Sequence, residues 1–192
     1  GDIYEGIFNK GNLIGKGTII TSKDNSDKSQ ESLKEIINDD NNKITYVGEI
    51  KDFKKEGHGI ETCSEYKYEG EFHDNMKNGK GLLIHLDTGD KYNGTFKDNK
   101  LTGYGIYLWN NGDSYEGDFV NGNMHGKGVY KWLDGSLYEG EYKDNVREGK
   151  GMFKRKNGMI FKGNFLNGKP NGKGNMIYKD KNIDVEYSNG KS

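Results

Sequence analysis

One proline, one cysteine, two tryptophans and four histidines among 192 residues leave several protein classes without material. The lone Cys63 excludes an internal disulfide framework and suits a reducing compartment. With Pro170 as the one proline, extended strands can run uninterrupted. Apolar runs stop after a few residues, so none approaches the roughly 20 that a membrane-spanning helix needs, and none reads as a secretory segment. Apolar residues are scarce altogether: they make up 31%, as do charged ones, and mean hydropathy is strongly negative. Such a chain ordinarily has too little surface to bury and stays disordered. Against that stand a 12% aromatic content and 30 glycines, both placed at regular intervals where a flexible linker would scatter them.

The intervals are those of a repeat. Seven times an aromatic-x-Gly triplet, led by Tyr4, Tyr46, Tyr68, Tyr92, Tyr115, Tyr138 or Phe161, is followed 11 and 13 residues after the aromatic by a Gly-x-Gly pair. Gly79/Gly81 and Gly126/Gly128 are two examples. From Tyr46 onward the starts lie 22, 24, 23, 23 and 23 residues apart, and the first interval of 42 holds one period plus an insertion. A fixed period of this size signals a stacked array, so function is to be sought on a repeated surface.

Counting the aromatic as position 0, positions 0 to 4 alternate an aromatic or glycine with a charge, as in Tyr68-Glu-Gly-Glu-Phe72, which is strand periodicity. Asp74-Asn75, Asn121-Gly122 and their equivalents follow as tight-turn residues. A second strand then runs through the Gly-x-Gly pair to Asn111-Gly112 or Asp134-Gly135, where an odd period calls for a three-residue turn with a glycine bulge. Each repeat is one β-hairpin. A two-residue first turn predicts position 0 opposite 13, with the ring lying over a glycine, and position 1 opposite 12. That register pairs Glu5 with Lys16, Glu69 with Lys80, Glu116 with Lys127 and Glu139 with Lys150, each worth about 0.2–1 kcal/mol. It also sets Lys162 against Lys173. The fold class is therefore all-β: an elongated, twisted, open antiparallel meander of stacked hairpins, whose free sheet ends invite pairing with another copy as a homodimer.

Residues 115–138, from Tyr-Glu-Gly-Asp-Phe through Asn-Met-His-Gly-Lys-Gly to Ser-Leu-Tyr, resemble the consensus of the MORN (membrane occupation and recognition nexus) repeat. The resemblance covers nearly the whole chain, so that residues 1–192 read as one array with a polar insertion at 22–42 and a degenerate eighth strand near 183–187. The first two repeats are weaker: Ile7 replaces an acid, Val47 a glutamate and Phe53 the turn asparagine. What the resemblance implies is a non-catalytic interaction module, often dimeric, at a membrane or the cytoskeleton on the cytoplasmic side. Family members range from junctional membrane proteins and ciliary components to modules fused to enzymes, so the regulatory region of a larger enzyme is a further alternative. Tyr4 has only three residues before it, which suggests a piece of a longer protein. The insertion reads as a mobile loop; the alternative is a short helix docking Leu33, Ile36 and Ile37 on the sheet.

No catalytic residue, cofactor site or metal site is predicted. A P-loop needs Gly-x4-Gly-Lys-Ser/Thr, and no such run occurs: Gly-Lys is followed by glycine in the repeats' Gly-x-Gly pairs, and Gly190-Lys191-Ser192 has Val185 where the first glycine is required. Asp74–Gly79 fails as a calcium loop at Met76 and His85, and the four histidines occupy four different repeat positions. Charge is distributed unevenly. Residues 1–149 hold 19 Lys/Arg and 27 Asp/Glu, net −8, whereas residues 150–181 hold nine Lys/Arg against Asp180, net +8. Lys150, Lys154, Arg155, Lys156, Lys162, Lys169 and Lys173 are thus candidates for weak binding to anionic lipid at about 1 kcal/mol each. The acidic body disfavours nucleic acid. Tyr107, Trp109, Tyr130 and Trp132 are the candidate contacts for a protein partner, with burial in the sheet core as their alternative.

Overall fold

The computed structural model describes residues 2–9, 11–22, 43–179 and 181–191. Among them are fifteen strands and no helix, and the strands form one open antiparallel sheet in chain order. The predicted insertion, apart from Ser22, lies outside the described residues, as does the choice between loop and docked helix for Leu33, Ile36 and Ile37. Two compact units divide the chain. Residues 1–99 carry β1 (Ile3–Asn9), β2 (Asn12–Ser22), β3 (Lys43–Lys51), β4 (Lys54–Thr62), β5 (Tyr66–His73), β6 (Met76–His85) and β7 (Lys91–Lys97). Residues 100–192 carry β8 (Lys100–Leu108), β9 (Ser114–Val120), β10 (Asn123–Lys131), β11 (Leu137–Lys143), β12 (Val146–Lys154), β13 (Ile160–Leu166), β14 (Lys169–Tyr178) and β15 (Lys181–Tyr187).

The hairpins and both turn types form as the residue pattern predicts, but the register differs. Between β5 and β6, His73 faces Met76 across the two-residue turn and Phe72 faces Lys77; the ladder then jumps, so that Gly70 faces Gly81 and Tyr68 faces Leu83. Asn78, Gly79 and Lys80 together oppose Glu71 alone, which makes a bulge. Gly79, at φ 103°, supplies the left-handed backbone there, as the first glycine of the pair does in every repeat. Position 0 is thereby shifted from opposite 13 to opposite 15. The predicted pairs are replaced accordingly: Glu5 faces Thr18, Glu69 faces Leu82, Glu116 faces Val129 and Glu139 faces Met152. Lys16 and Lys127 instead face Glu49 and Glu141 of the following repeat, and Lys80 donates to Thr95 Oγ1 at 2.7 Å. Lys162 lies between Met152 and Asn175, while Lys173 faces Glu186, so the predicted like-charge contact does not arise.

This register lines the glycines up. Gly6, Gly17, Gly48, Gly59, Gly70, Gly81 and Gly94 run side by side across the first unit. Gly105, Gly117, Gly128, Gly140, Gly151, Gly163 and Gly174 do so across the second, which ends on Val185. The tyrosine rings lie on these rows. A Cβ on Gly128 would sit 2.3–2.4 Å from atoms of the Tyr115 ring and hydroxyl, so the predicted demand for glycine holds in the corrected register. The hydroxyl of Tyr115 donates to Asp118 C=O at 3.0 Å, and that of Tyr68 to Glu71 C=O at 2.9 Å. Burial raises the pKa of these phenols, which keeps them neutral donors. Tyr46, Tyr68, Tyr92, Tyr115 and Tyr138 are fully buried, a thin core made of rings where aliphatic side chains are few. Phe72, Phe96, Phe119, Tyr142 and Phe165 fill the gaps edge-to-face, with Tyr68 5.1 Å from Phe72 and Tyr138 4.9 Å from Phe165.

Acids at position 3 have a structural task. Glu71 accepts from the bulge N–H of Lys80 at 3.1 Å, and Asp118 from that of Lys127 at 3.3 Å. The tight turns are tied to their predecessors in the same manner. Asn145 (φ 69°) donates its N–H to Met124 C=O at 2.9 Å, and its Oδ1 accepts from Met124 N–H at 2.8 Å. Asn75 does the same with Lys55, and Asn99 with Lys77. Asn145→Ala loses both this bond and tolerance of positive φ, and is expected to lower stability by about 2 kcal/mol in urea unfolding. Asn145→Gly keeps the conformation and should lose only about 1 kcal/mol.

Candidate functional site

The face that carries the rings has a second tier, formed by positions 15 and 17. In the second unit these are Tyr107, Trp109, Tyr130 and Trp132, followed by Phe153. Tyr107 faces Tyr115 and Tyr130 faces Tyr138, which puts them on the ring side of the sheet. Their rings stack in sequence with tilts of 34–43°: Tyr107 to Trp109 at 4.5 Å, Trp109 to Tyr130 at 5.1 Å and Tyr130 to Trp132 at 4.6 Å. Trp132 then meets Phe153 edge-on at 5.6 Å. All four predicted partner contacts are half-buried. Each shows one surface to the core and one to solvent.

Hydrogen bonds hold this stack in place. Both tryptophans precede three-residue turns with Gly112 or Gly135 at positive φ, and each N–H bonds across its turn, Trp109 to Asp113 C=O and Trp132 to Ser136 C=O, at 3.0 Å. Asp113 then joins one turn to the next, accepting from the Tyr130 hydroxyl and from Leu133 N–H, each at 2.9 Å. Chiefly the Leu133 bond, against some desolvation, holds the Asp113 carboxyl below its ordinary range. Burial, then the bond to Asp113, raises the Tyr130 phenol.

The predicted basic residues do not form one patch. Lys150, Lys154 and Lys162 share the face away from the rings with Met152, and Lys173 lies opposite Glu186 on that side. Lys150 and Lys162 line an open groove of about 840 Å³ there, beside Lys127, Glu116, Glu139, Glu141 and Tyr104. Lys156 belongs to a turn, where its N–H reaches Ser136 Oγ at 3.2 Å. Arg155 and Lys169 line a cavity of about 450 Å³ with Phe153 and Phe165 of the ring side.

Two features escaped the sequence reading. Arg147, at a position filled by Leu13, Lys55, Lys77, Leu101, Met124 or Pro170 in the other repeats, lies 5.4–5.9 Å from the rings of Trp132, Tyr138, Phe153 and Phe165 and donates to Gly168 C=O at 2.5 Å. In the first unit Glu61 takes the place that Leu83 has one repeat later. It is 4% exposed, ion-paired with Lys55 and, at 2.8 Å, with Lys77, and accepts from the Tyr66 hydroxyl at 2.7 Å. Burial opposes its ionisation, but the two ammonium groups prevail and hold its pKa at about 2. The only sequence signal was a charge where other repeats carry a large apolar side chain. Among the described residues no group of three His, Cys, Asp or Glu could hold a metal, and no helix is long and apolar enough to cross a membrane.

Residues 46–66, 68–85, 92–114, 115–137, 138–160 and 161–183 match a family model described as the MORN repeat. No curated protein matches the chain. Among solved structures, the SAS-4 (dCPAP) TCP domain of Drosophila melanogaster, in complex with a proline-rich motif of Ana2 (dSTIL), is similar over 84% of this chain and 96% of its own, at 12% identity and a TM-score of 0.46.

Proposed function

We propose, from the premise that this chain belongs to the MORN repeat family, that it is a non-catalytic protein-interaction module whose partner docks on the aromatic stack of the second unit. The half-buried run of Tyr107, Trp109, Tyr130 and Trp132 carries this reading. Tyr and Trp offer large contact areas at small entropic cost and dominate binding hot spots. Here they are already fixed by packing and by Asp113, so little ordering remains to be done on association. Leu133, 73% exposed at the neighbouring turn, extends the apolar rim. The recurring acids and lysines favour a non-catalytic role, because their repetition is explained by bulges and strand pairing.

The test is affinity capture from cells of the source organism with wild type and a Trp109→Ala/Trp132→Ala double variant. Partners retained by wild type are expected to be lost by the variant at unchanged circular dichroism. Identical capture by both would refute the stack as the docking surface. A second reading, association with an anionic membrane, rests on Lys150, Lys154, Lys162 and Lys173 on the opposite face, worth about 4 kcal/mol at about 1 kcal/mol each. Charge reversal of Lys150, Lys162 and Lys173 separates the two readings, since it abolishes vesicle binding and spares binding through the tryptophans.

A further inference from the structure

Beside the aromatic stack, the cavity of about 450 Å³ is lined by four cationic side chains, Arg147, Arg155, Lys169 and Lys191, and, among the described residues, by no carboxylate. Phe153 and Phe165 give it apolar walls. Elsewhere in the second unit four lysines lie across from an acid or an amide, Lys127 from Glu141, Lys150 from Asn164, Lys162 from Asn175 and Lys173 from Glu186. Four cations around one recess, unbalanced within its lining, favour an anion. Two of them are arginines, whose planar forks match phosphate oxygens. Gly168 takes one of Arg147's five donors, and the surrounding rings hold its guanidinium in place.

We infer that this cavity receives a phosphorylated side chain of an extended protein segment whose neighbouring residues lie along the aromatic stack. The inference rests on the docking surface proposed above and names the chemistry at its end. Continuity supports a single ligand: Phe153 both contacts Trp132 and lines the cavity. A flat bilayer fits less well. The recess that Arg155 and Lys169 line is walled by Phe153 and Phe165 of the ring side, while Lys150 and Lys162 line the groove on the other, so one planar surface cannot engage both recesses.

The experiment measures binding of two synthetic peptides to the full chain at low salt, read by Trp fluorescence. Both are nine residues long, with three leucines alternating with alanines ahead of either phosphoserine or serine. The phosphorylated form should bind about tenfold or more tightly, and this preference should vanish in Arg155→Ala/Lys169→Ala, both exposed positions whose change leaves the thermal midpoint in place. Equal binding of the two peptides would overturn the inference, as would a preference that survives the double variant. Binding of phosphoinositide vesicles that needs Arg155 and Lys169, with no phosphopeptide preference, would overturn it in favour of a lipid headgroup. Trp109→Ala separates the two proposals: weaker binding of both peptides at a constant ratio supports both, whereas an unchanged affinity with the ratio intact refutes the stack alone.

Discussion

Tyr115→Ala is expected to lower the stability of the fold by about 3–5 kcal/mol, the usual cost of emptying an aromatic site in a core. The ring is fully buried, packs edge-on against Phe119 and Tyr142 at 5.1 and 5.2 Å, and covers the glycine row. Tyr115→Phe keeps the packing and loses only the bond to Asp118 C=O, so it should cost about 1 kcal/mol. Position 161 shows that phenylalanine is accepted there, with Phe161 5% exposed. Gly128→Ala completes the experiment. Its new Cβ would overlap the Tyr115 ring, which has no way to give locally, whereas the same substitution in the Tyr115→Ala background should cost less than half as much. Urea midpoints of the four proteins test this; additive effects would mean that ring and glycine do not constrain each other.

Glu61→Gln is expected to cost about 3–5 kcal/mol, because it leaves the ammonium groups of Lys55 and Lys77, 13% and 12% exposed, without their shared counter-charge. The pH dependence follows from the lowered pKa. A carboxyl at about 2 in the folded chain and about 4.5 when unfolded contributes stability that is fully present above pH 4.5 and lost as the pH falls toward 2. The gap between wild type and Glu61→Gln should narrow over that window. Replacing the whole group by apolar residues, Lys55→Met with Glu61→Leu, Lys77→Met and Tyr66→Phe, since the Tyr66 hydroxyl would otherwise lose Glu61 and Lys77, removes the desolvation cost together with the attraction and should be neutral or stabilising. A Glu61→Gln protein within 1 kcal/mol of wild type would mean that the triad adds nothing.

Gly79 and Gly81 illustrate what could be read in advance. Both were visible as an invariant pair, and the need for glycine under the ring followed from period two and the turn residues. That the two glycines do different jobs did not follow. Gly79 lets the backbone bulge and Gly81 receives the ring, and a bulge is a backbone event that leaves no mark on side-chain alternation. With the bulge unrecognised, the register slid by two residues, and four plausible Glu–Lys pairs went with it. Tyr107, Trp109, Tyr130 and Trp132 were legible as a surface because large rings recur at equivalent positions. Arg147 was not, since its position carries Lys, Leu, Met or Pro in other repeats and its ring contacts come from three different strands. Glu61 was concealed among many charges. Its burial depends on Lys55 and Lys77, which reach it from two different hairpins.

The ties between turns and preceding hairpins all point one way. Residue 7 of a repeat bonds to residue 9 of the repeat before it: Asn75 to Lys55, Asn99 to Lys77, Gly122 to Leu101, Asn145 to Met124, Gly168 to Arg147 and Gly190 to Pro170. On the ribosome the earlier hairpin is always complete first, so each newly emerging turn meets an acceptor already in place. Synthesis and assembly thus proceed in the same direction. The search for strand partners stays local even in a sheet of fifteen strands, and the nascent edge is covered by its own next segment before another chain can claim it.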